Sequence, residues 1–508
     1  MAPRRRPKGC PHDSLIVEPS GYGRNKAGFV RVPPEKRAAA SAGPGRATVN
    51  SASDVSAPEP STFPGPLVLP DDDLALGPRH PPQSMRSWAS GHWRNPITPE
   101  RKTLYVADVP ANDDSAAFMR EWASPDLSGV KPPVVPDRLG HPKVEDVVGY
   151  FSAFYHPLPV RPLPTPLRFV KWGDEEPRAG EKPKRMMVGL ETGRGPPAGI
   201  RARPSPDDLA RMQLNLCDLL DALMAILPRD AYAACMIVAQ DLYEDENDDF
   251  CCGRAFGGSR ICLVSSFRYR PVLDQIQGVE REHMWPASHC ERFVIEAVEW
   301  WEEQDAVERG ESGEGSGGKV KKGAKRKGKK GDDDDDDDGE IAIDWKKVGG
   351  TAMGAAVEAS RDVLVPRTTP RRAEDEDLNG MWLARVARTA AHEVGHCLGL
   401  GHCIYYACVM QGTGGLGEDG RQPPYFCPVC EAKFVWGLGE MGVVEGGMAG
   451  KWRGGRQREV ERERMEAMMG FCELWKGVGM FAGYRGWLEA RLRREFVARE
   501  VEVIDLTR

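Results

Sequence analysis

The feature that most constrains this 508-residue chain is an eleven-residue motif, H-E-x-x-H-x-x-G-x-x-H, which begins at His392. His392 and His396 are four residues apart, so on a helix their imidazoles share one face, about 5–6 Å apart, and can bind one Zn²⁺. Glu393 can reach a water at the metal. Gly399 predicts the turn that ends the helix, because glycine adopts the left-handed conformation at little cost. That turn returns His402 to the same ion.

The chemistry of such a site follows from its ligand count. Three protein ligands leave a fourth position open, which distinguishes a catalytic zinc from a structural one. Zinc lowers the pKa of a bound water toward about 7, and Glu393 then acts as the general base. The alternative is a helix with ordinary buried histidines, but three of the ten histidines fall within these eleven residues. The motif predicts a zinc-dependent metallopeptidase that hydrolyses peptide bonds by a zinc-bound water.

A second cluster of metal-binding residues follows immediately, with the spacing C-x4-C and then C-x2-C. Its members are Cys403, Cys408, Cys427 and Cys430. Four thiolates fit a closed tetrahedral zinc site, whose binding energy contributes to folding. The alternatives are two disulfides or unrelated buried thiols, and disulfides need an oxidising compartment. The sequence therefore predicts two zinc ions per chain, one catalytic and one structural.

The whole pattern resembles one family, the archaemetzincins (archaelysin zinc metallopeptidases of the metzincin clan). Their signature is H-E-x-x-H-x-x-G-x-x-H-C-x4-C-x-M, followed by about seventeen residues and C-x-x-C. This chain has every signature residue and is one residue short in the last, glycine-rich spacer. By this resemblance Met410 is the Met-turn residue beneath the histidines. In some metzincins a tyrosine two residues after that methionine helps to stabilise the tetrahedral oxyanion. This chain has Gly412 at that position, so the role is unassigned here. The tyrosines nearby in sequence are Tyr405, Tyr406 and Tyr425.

The resemblance also implies a fold. We expect an α+β (α/β-like) architecture: a metzincin-type catalytic domain with a twisted mixed sheet, an active-site helix and a four-cysteine zinc loop. Residues 154–160 resemble the family's opening strand region and residues 253–260 its edge-strand region. In metzincins an edge strand aligns the substrate by strand addition. One of the predicted strands 250–256 and 261–269 is the candidate for this substrate-aligning strand. The alternative is that the two strands form an ordinary hairpin without that role.

Composition divides the chain into four parts. Residues 1–100 are rich in Pro, Gly, Ala and Arg, and such composition predicts a largely disordered tail. Within the third part, 319–330 is basic and 332–338 is seven aspartates, so a disordered low-complexity insertion is predicted. The predicted parts are the tail 1–100, a Pro-rich lead-in 101–143, the catalytic domain 144–440 interrupted by the insertion 306–340, and a Gly-rich linker with C-terminal helices over 441–508.

Hydrophobic periodicity places the main elements. Ser205 before a proline and two aspartates is typical of a helix start, so we expect a helix over 209–227. The other expected elements are strands over 167–172 and 235–239, the active-site helix over 381–398, and helices over 292–305 and 484–500.

Charge and targeting signals bear on partners. The net charge of −7 argues against a nucleic-acid binder. The basic start lacks a following apolar run, so a signal peptide is not expected. No eighteen-residue apolar stretch exists, so a transmembrane helix is not expected either. The nine cysteines left over fit free thiols in a reducing compartment. We expect a cytoplasmic or nuclear protein with a peptide or protein substrate and no membrane partner, 319–330 being a candidate localisation signal. The alternatives are a non-catalytic, zinc-organised interaction protein and an intracellular zinc peptidase acting on DNA-bound proteins.

Overall fold

The computed structural model of the chain combines helices with two mixed sheets, which confirms the α+β expectation. The structure describes residues 32–43, 61–66, 72–77, 81–92, 94–128, 138–173, 184–279, 281–286, 351–364, 371–440 and 455–497. The predicted helix 292–305 and the predicted insertion 306–340 lie outside these residues. None of the described helices is long and apolar enough to cross a membrane.

The first sheet packs against the predicted active-site helix. Its strand order is β10-β11-β8-β1-β3, parallel throughout except for the antiparallel edge strand β10. Its strands are β1 Thr103–Ala107, β3 Val160–Pro162, β8 Ala231–Val238, β10 Gly253–Phe256 and β11 Ile261–Ser265. Strands β1, β8 and β11 are buried along their whole length, as expected for strands covered on both faces. The predicted strand 235–239 is therefore confirmed, as part of β8.

The second sheet runs β2-β4-β5-β6-β7-β9. Its strands are β2 Ala111–Asn112, β4 Arg168–Lys171, β5 Met186–Glu191, β6 Ala198–Arg203, β7 Gln213–Asn215 and β9 Asp241–Tyr243. Alternate residues of β8 divide between two cores, because successive side chains of a strand point to opposite faces. Cys235 and Ile237 pack with the helices around the site, whereas Met236 and Val238 pack with the second sheet.

Eleven α-helices are described. They are α1 Pro34–Ser41, α2 Asp73–Leu76, α3 Met85–Ala89, α4 Val144–Phe154, α5 Leu216–Ala225, α6 Ala352–Leu364, α7 Arg371–Cys397, α8 Leu416–Arg421, α9 Pro428–Glu440, α10 Gly455–Leu474 and α11 Gly479–Leu492. Helix α7 is the predicted active-site helix, begins ten residues earlier than expected, and packs on β8, β10 and β11. Helices α10 and α11 pack on α4 and α6, so they belong to the same core.

The predicted helix 209–227 was wrong at its start. Helix α5 begins only at Leu216, and its N-cap is Asn215, whose side chain accepts a hydrogen bond from the Asp218 amide. Asp207, one of the two aspartates expected at the helix start, instead forms an ion pair with the buried guanidinium of Arg268. A buried cation needs such partners, and this tertiary requirement overrides the local helix-start signal.

Several short segments within the N-terminal hundred residues are described, and they contact the rest of the chain. Phe63 is buried and makes edge-to-face contacts with Tyr425 and Trp487. The indole nitrogen of Trp88 donates to the Leu398 carbonyl at 3.1 Å, at the end of α7. The Pro64 carbonyl accepts from the Ala407 amide at 2.9 Å. These described segments are thus packed against the loop that follows α7.

Candidate metal centre

Three histidines converge at the C-terminal end of α7. His392 and His396 occupy one face of the helix, with their Nε2 atoms 3.0 Å apart. His402 approaches from the following loop, and the three candidate ligand atoms all lie within 4.8 Å of one another. Three nitrogens at about 2.0–2.1 Å from one tetrahedral zinc would be spaced in this range. The three histidines therefore fit a single zinc ion.

The two helical histidines are held in the tautomer that a metal requires. His392 Nδ1 donates to the Val409 carbonyl at 2.6 Å, and His396 Nδ1 donates to the Leu400 carbonyl at 2.7 Å, which leaves each Nε2 lone pair for the ion. Burial and the neighbouring imidazoles lower the pKa of His392, and lower that of His396 to about 4. Both rings are neutral at pH 7, as metal ligands must be.

Glu393 points into the same cleft next to the first histidine. Burial raises the pKa of its carboxyl to about 8, and Arg254 on β10 partly offsets this increase. A Cβ at Gly253 would lie 3.1 Å from Glu393 Oε1, so the edge strand approaches this carboxylate closely and a side chain here would be crowded. The glycine thus lets β10 pass directly over the predicted base.

The loop after α7 turns where Gly399 was expected to allow it. Helix α7 ends at Cys397, and Gly399 adopts φ of 76°. Met410 lies under the helix between the two ligands, since a Cβ on Gly395 would collide with its sulfur and lie 3.0 Å from its Cε. This is the location that the resemblance gave to the Met-turn residue.

The four cysteines form a second, fully buried cluster. The sulfurs of Cys403 and Cys427 are 3.5 Å apart, far longer than a disulfide and close to the edge of a tetrahedron with zinc–sulfur bonds of about 2.3 Å. The amides of Met410 and Cys427 donate to Cys408 Sγ at 3.4 and 3.2 Å. Hydrogen bonds from the neighbouring thiols, with Cys408 the strongest, lower the pKa of Cys403, and Lys433 adds to this. The cluster fits a structural zinc.

The histidines open onto a cleft of about 620 Å³. Strand β10 forms one wall through residues that include Gly253 and Arg254, and the loop 413–416 forms another. None of the three nearby tyrosines is among the described lining residues: Tyr406 and Tyr425 are buried in the core, and Tyr425 stacks on Trp487. Gln83 and Arg94 also line the cleft, and no local sequence pattern around either residue predicts this position.

Comparison with known proteins agrees with this site. Residues 347–435 match the sequence model of peptidase family M54. Archaemetzincin-2 of Mus musculus is 34% identical over 113 residues, which are 22% of this chain and 31% of that protein. Archaemetzincin of Aeropyrum pernix is 41% identical over 64 residues, which are 13% of this chain and 35% of that protein. The chain thus spans about a third of the length of these curated relatives.

The crystal structure of archaemetzincin from Methanopyrus kandleri aligns with 67% of this chain and 97% of its own, at 13% identity and a TM-score of 0.28. A TM-score of that size does not establish a shared arrangement of the whole chain.

Proposed function

We propose that this chain, a member of peptidase family M54 through residues 347–435, is a zinc-dependent metallopeptidase. The observation that carries the proposal is the convergence of His392, His396 and His402, with Glu393 beside them in a cleft. Three imidazoles would hold the ion and leave a position open to the cleft. A binding module has no need of a buried carboxylate at that position.

The reaction assigns a separate task to each group. Zinc held by His392, His396 and His402 would supply Lewis acidity toward the scissile carbonyl and would lower the pKa of water toward about 7. Glu393 accepts a proton from the attacking water and later donates it to the leaving amine. Its pKa of about 8 without the ion reflects burial, and a nearby dication favours the carboxylate form that a general base needs.

Strand β10 is the element we propose to align the substrate. It forms an edge of the first sheet as described, and its residues line the cleft beside Glu393. An extended peptide can add to such an edge through main-chain hydrogen bonds. Gly253 lies against Glu393, and β10 lines the same cleft as the three histidines, so a peptide paired with β10 would pass close to the base and to the histidines.

The cysteine cluster is proposed as the second, structural zinc site. Its four thiols are buried and closed to the cleft, so they offer no open position for substrate. Cys403 directly follows His402 in the chain, and the Cys403 amide donates to the Met410 carbonyl at 2.7 Å. An ion at the cysteines would therefore also hold the loop that supplies the third histidine.

The test is Glu393→Gln in the full chain, with Glu100→Gln as control because Glu100 is exposed in a turn. Glu393→Gln should keep the wild-type zinc content and lose peptide hydrolysis by about 10²–10⁴-fold, the usual contribution of a general base. Glu100→Gln should match wild type in both. Zinc by elemental analysis and cleavage of a denatured protein by mass spectrometry supply the readouts. Hydrolysis near the wild-type rate in Glu393→Gln would contradict the mechanism, and a zinc-loaded wild type that cleaves nothing would favour an interaction protein.

A further inference from the structure

We propose that two N-terminal segments, 72–77 and 81–92, position His402 as a metal ligand through Asp73 and Gln83. The proposal rests on the zinc site proposed above and concerns residues far outside the matched segment 347–435. It makes these two described segments part of the metal centre.

The need for such support follows from where His402 lies. His392 and His396 are fixed by helix α7, and each has a backbone carbonyl at its Nδ1 atom. His402 lies in the stretch 398–415, which contains no helix or strand. Its ring position therefore depends on side chains that contact the loop.

Asp73 approaches His402 from α2. A Cβ built on Gly412 would collide with Asp73 Oδ2 and would lie 2.7 Å from His402 Nδ1. The carboxylate oxygen and the imidazole nitrogen are therefore both adjacent to this one position. The Asp73 oxygen at this point is buried. A carboxylate at the second nitrogen of a ligand histidine fixes its orientation and raises its basicity.

Two contacts hold Asp73 in this place. The Glu418 carboxylate accepts from the Asp73 amide at 3.0 Å and from the Gly414 amide at 2.7 Å, which joins α2 to the loop after His402. Arg421 forms an ion pair with Asp72 at 2.5 Å, and both side chains are largely buried. Helix α2 is therefore fixed by α8 and the loop, although it is only four residues long.

Gln83 binds the turn between the second and third histidines. Its Nε2 donates to the Gly399 carbonyl at 3.0 Å, and its Oε1 accepts from the Gly401 amide at 2.9 Å. The same oxygen accepts from Lys433 Nζ at 2.9 Å. Lys433 is buried on α9, the helix that begins within the Cys427–Cys430 knuckle. One amide thus fixes the turn and connects it to the cysteine site.

The experiment measures metal affinity at the histidine site in the full chain, by chelator competition with Co²⁺ and Zn²⁺. Thiolate-to-cobalt charge-transfer absorption reports the cysteine site separately, because histidine ligands do not produce it. The variants are Asp73→Ala and Gln83→Met. Their matched controls are Asp221→Ala, exposed on α5, and Gln457→Met, half-buried on α10.

We expect Asp73→Ala and Gln83→Met each to weaken the histidine site by about 10–100-fold, the usual effect of removing a group that orients a ligand. The thiolate absorption and both controls should stay at wild-type values. The conservative variants should recover part of the loss: Asp73→Asn keeps an acceptor oxygen, and Gln83→Glu keeps the oxygen facing Gly401 and Lys433. Recovery of this kind is not expected if the residues only stabilise the fold.

Two results would overturn the inference. One is a histidine-site affinity within about twofold of wild type in both variants. The other is equal loss of the cobalt–thiolate absorption, which would indicate general unfolding. No peptide is used in this assay, so a wild-type chain that binds metal at the histidines and cleaves nothing would refute the proposed function alone.

Discussion

Replacing Gly257 by alanine should separate the active-site helix from the turn that follows the edge strand. A Cβ at Gly257 would collide with the His396 carbonyl oxygen and lie 3.1 Å from its carbonyl carbon. These are backbone atoms of α7, so no side-chain rotation can relieve the contact. Gly258, the next residue, has nothing within 4 Å of its Cβ position and supplies a matched control.

The size of the effect follows from two opposing terms. Inserting a methyl group into close-packed structure costs about 1–3 kcal/mol. Gly→Ala also restricts the unfolded chain, which stabilises either variant by about 0.4–1 kcal/mol. The restriction of the unfolded chain is common to both variants and cancels when they are compared. The free energy of unfolding of Gly257→Ala should therefore lie about 1–3 kcal/mol below that of Gly258→Ala. For a domain of 150–250 residues, each 1 kcal/mol corresponds to about 2–4 °C in Tm.

The assay is thermal and urea unfolding of the two variants and wild type, with the zinc content held equal. Because the displaced carbonyl belongs to His396, we also expect weaker metal binding in Gly257→Ala only. Equal stability of the two variants, with unchanged metal affinity in both, would refute the argument. It would mean that the turn 257–259 does not press on α7 as the structure has it.

Two further predictions concern the cysteine site and pH. Cys427→Ser should lower the zinc content from about two ions per chain to about one or none and should lower the free energy of unfolding, since bound zinc contributes to folding; an unchanged content by elemental analysis would make the cysteines ordinary thiols. Burial raises the pKa of Glu418 to about 7 in the folded chain, above its unfolded value of about 4.3, so its contribution to stability is lost as pH rises through about 7. Glu418→Gln should therefore gain stability relative to wild type between about pH 5 and about pH 8 in urea unfolding, and a pH-independent difference would contradict this.

The sequence predicted the parts of the site that depend on local spacing. The interval of four residues between His392 and His396 acts through a single helix, so it needs no knowledge of the rest of the fold. The same holds for Gly399, whose positive φ follows from the turn between the second and third histidines. The hairpin across Gly257 and Gly258 was also predictable, because its two strands are adjacent in sequence and pair antiparallel.

Long-range requirements were not predictable in this way. The start of α5 was misplaced because Asp207 pairs with Arg268, a partner 61 residues away. The edge position of β10 depends on the parallel pairing of β11 with β8, which no local pattern encodes. The contacts of Gln83 with Gly399 and Lys433 join residues more than 300 positions apart. A polar residue in a Pro-rich stretch has no periodicity that could indicate such a partner.

The contacts between N-terminal segments and the loop after α7 have a physical reason that the composition of those segments does not indicate. The stretch between α7 and α8 supplies one histidine and two cysteines but forms no helix or strand, so it lacks the repeated hydrogen bonds that would fix it. Its amides and carbonyls are met instead by single groups: Pro64 at Ala407, Trp88 at Leu398 and Gln83 at the turn. A chain that places ligands on such a loop needs anchors from elsewhere. Short segments of a region poor in apolar clusters can supply them, because each anchor requires only one or two side chains and no core of its own.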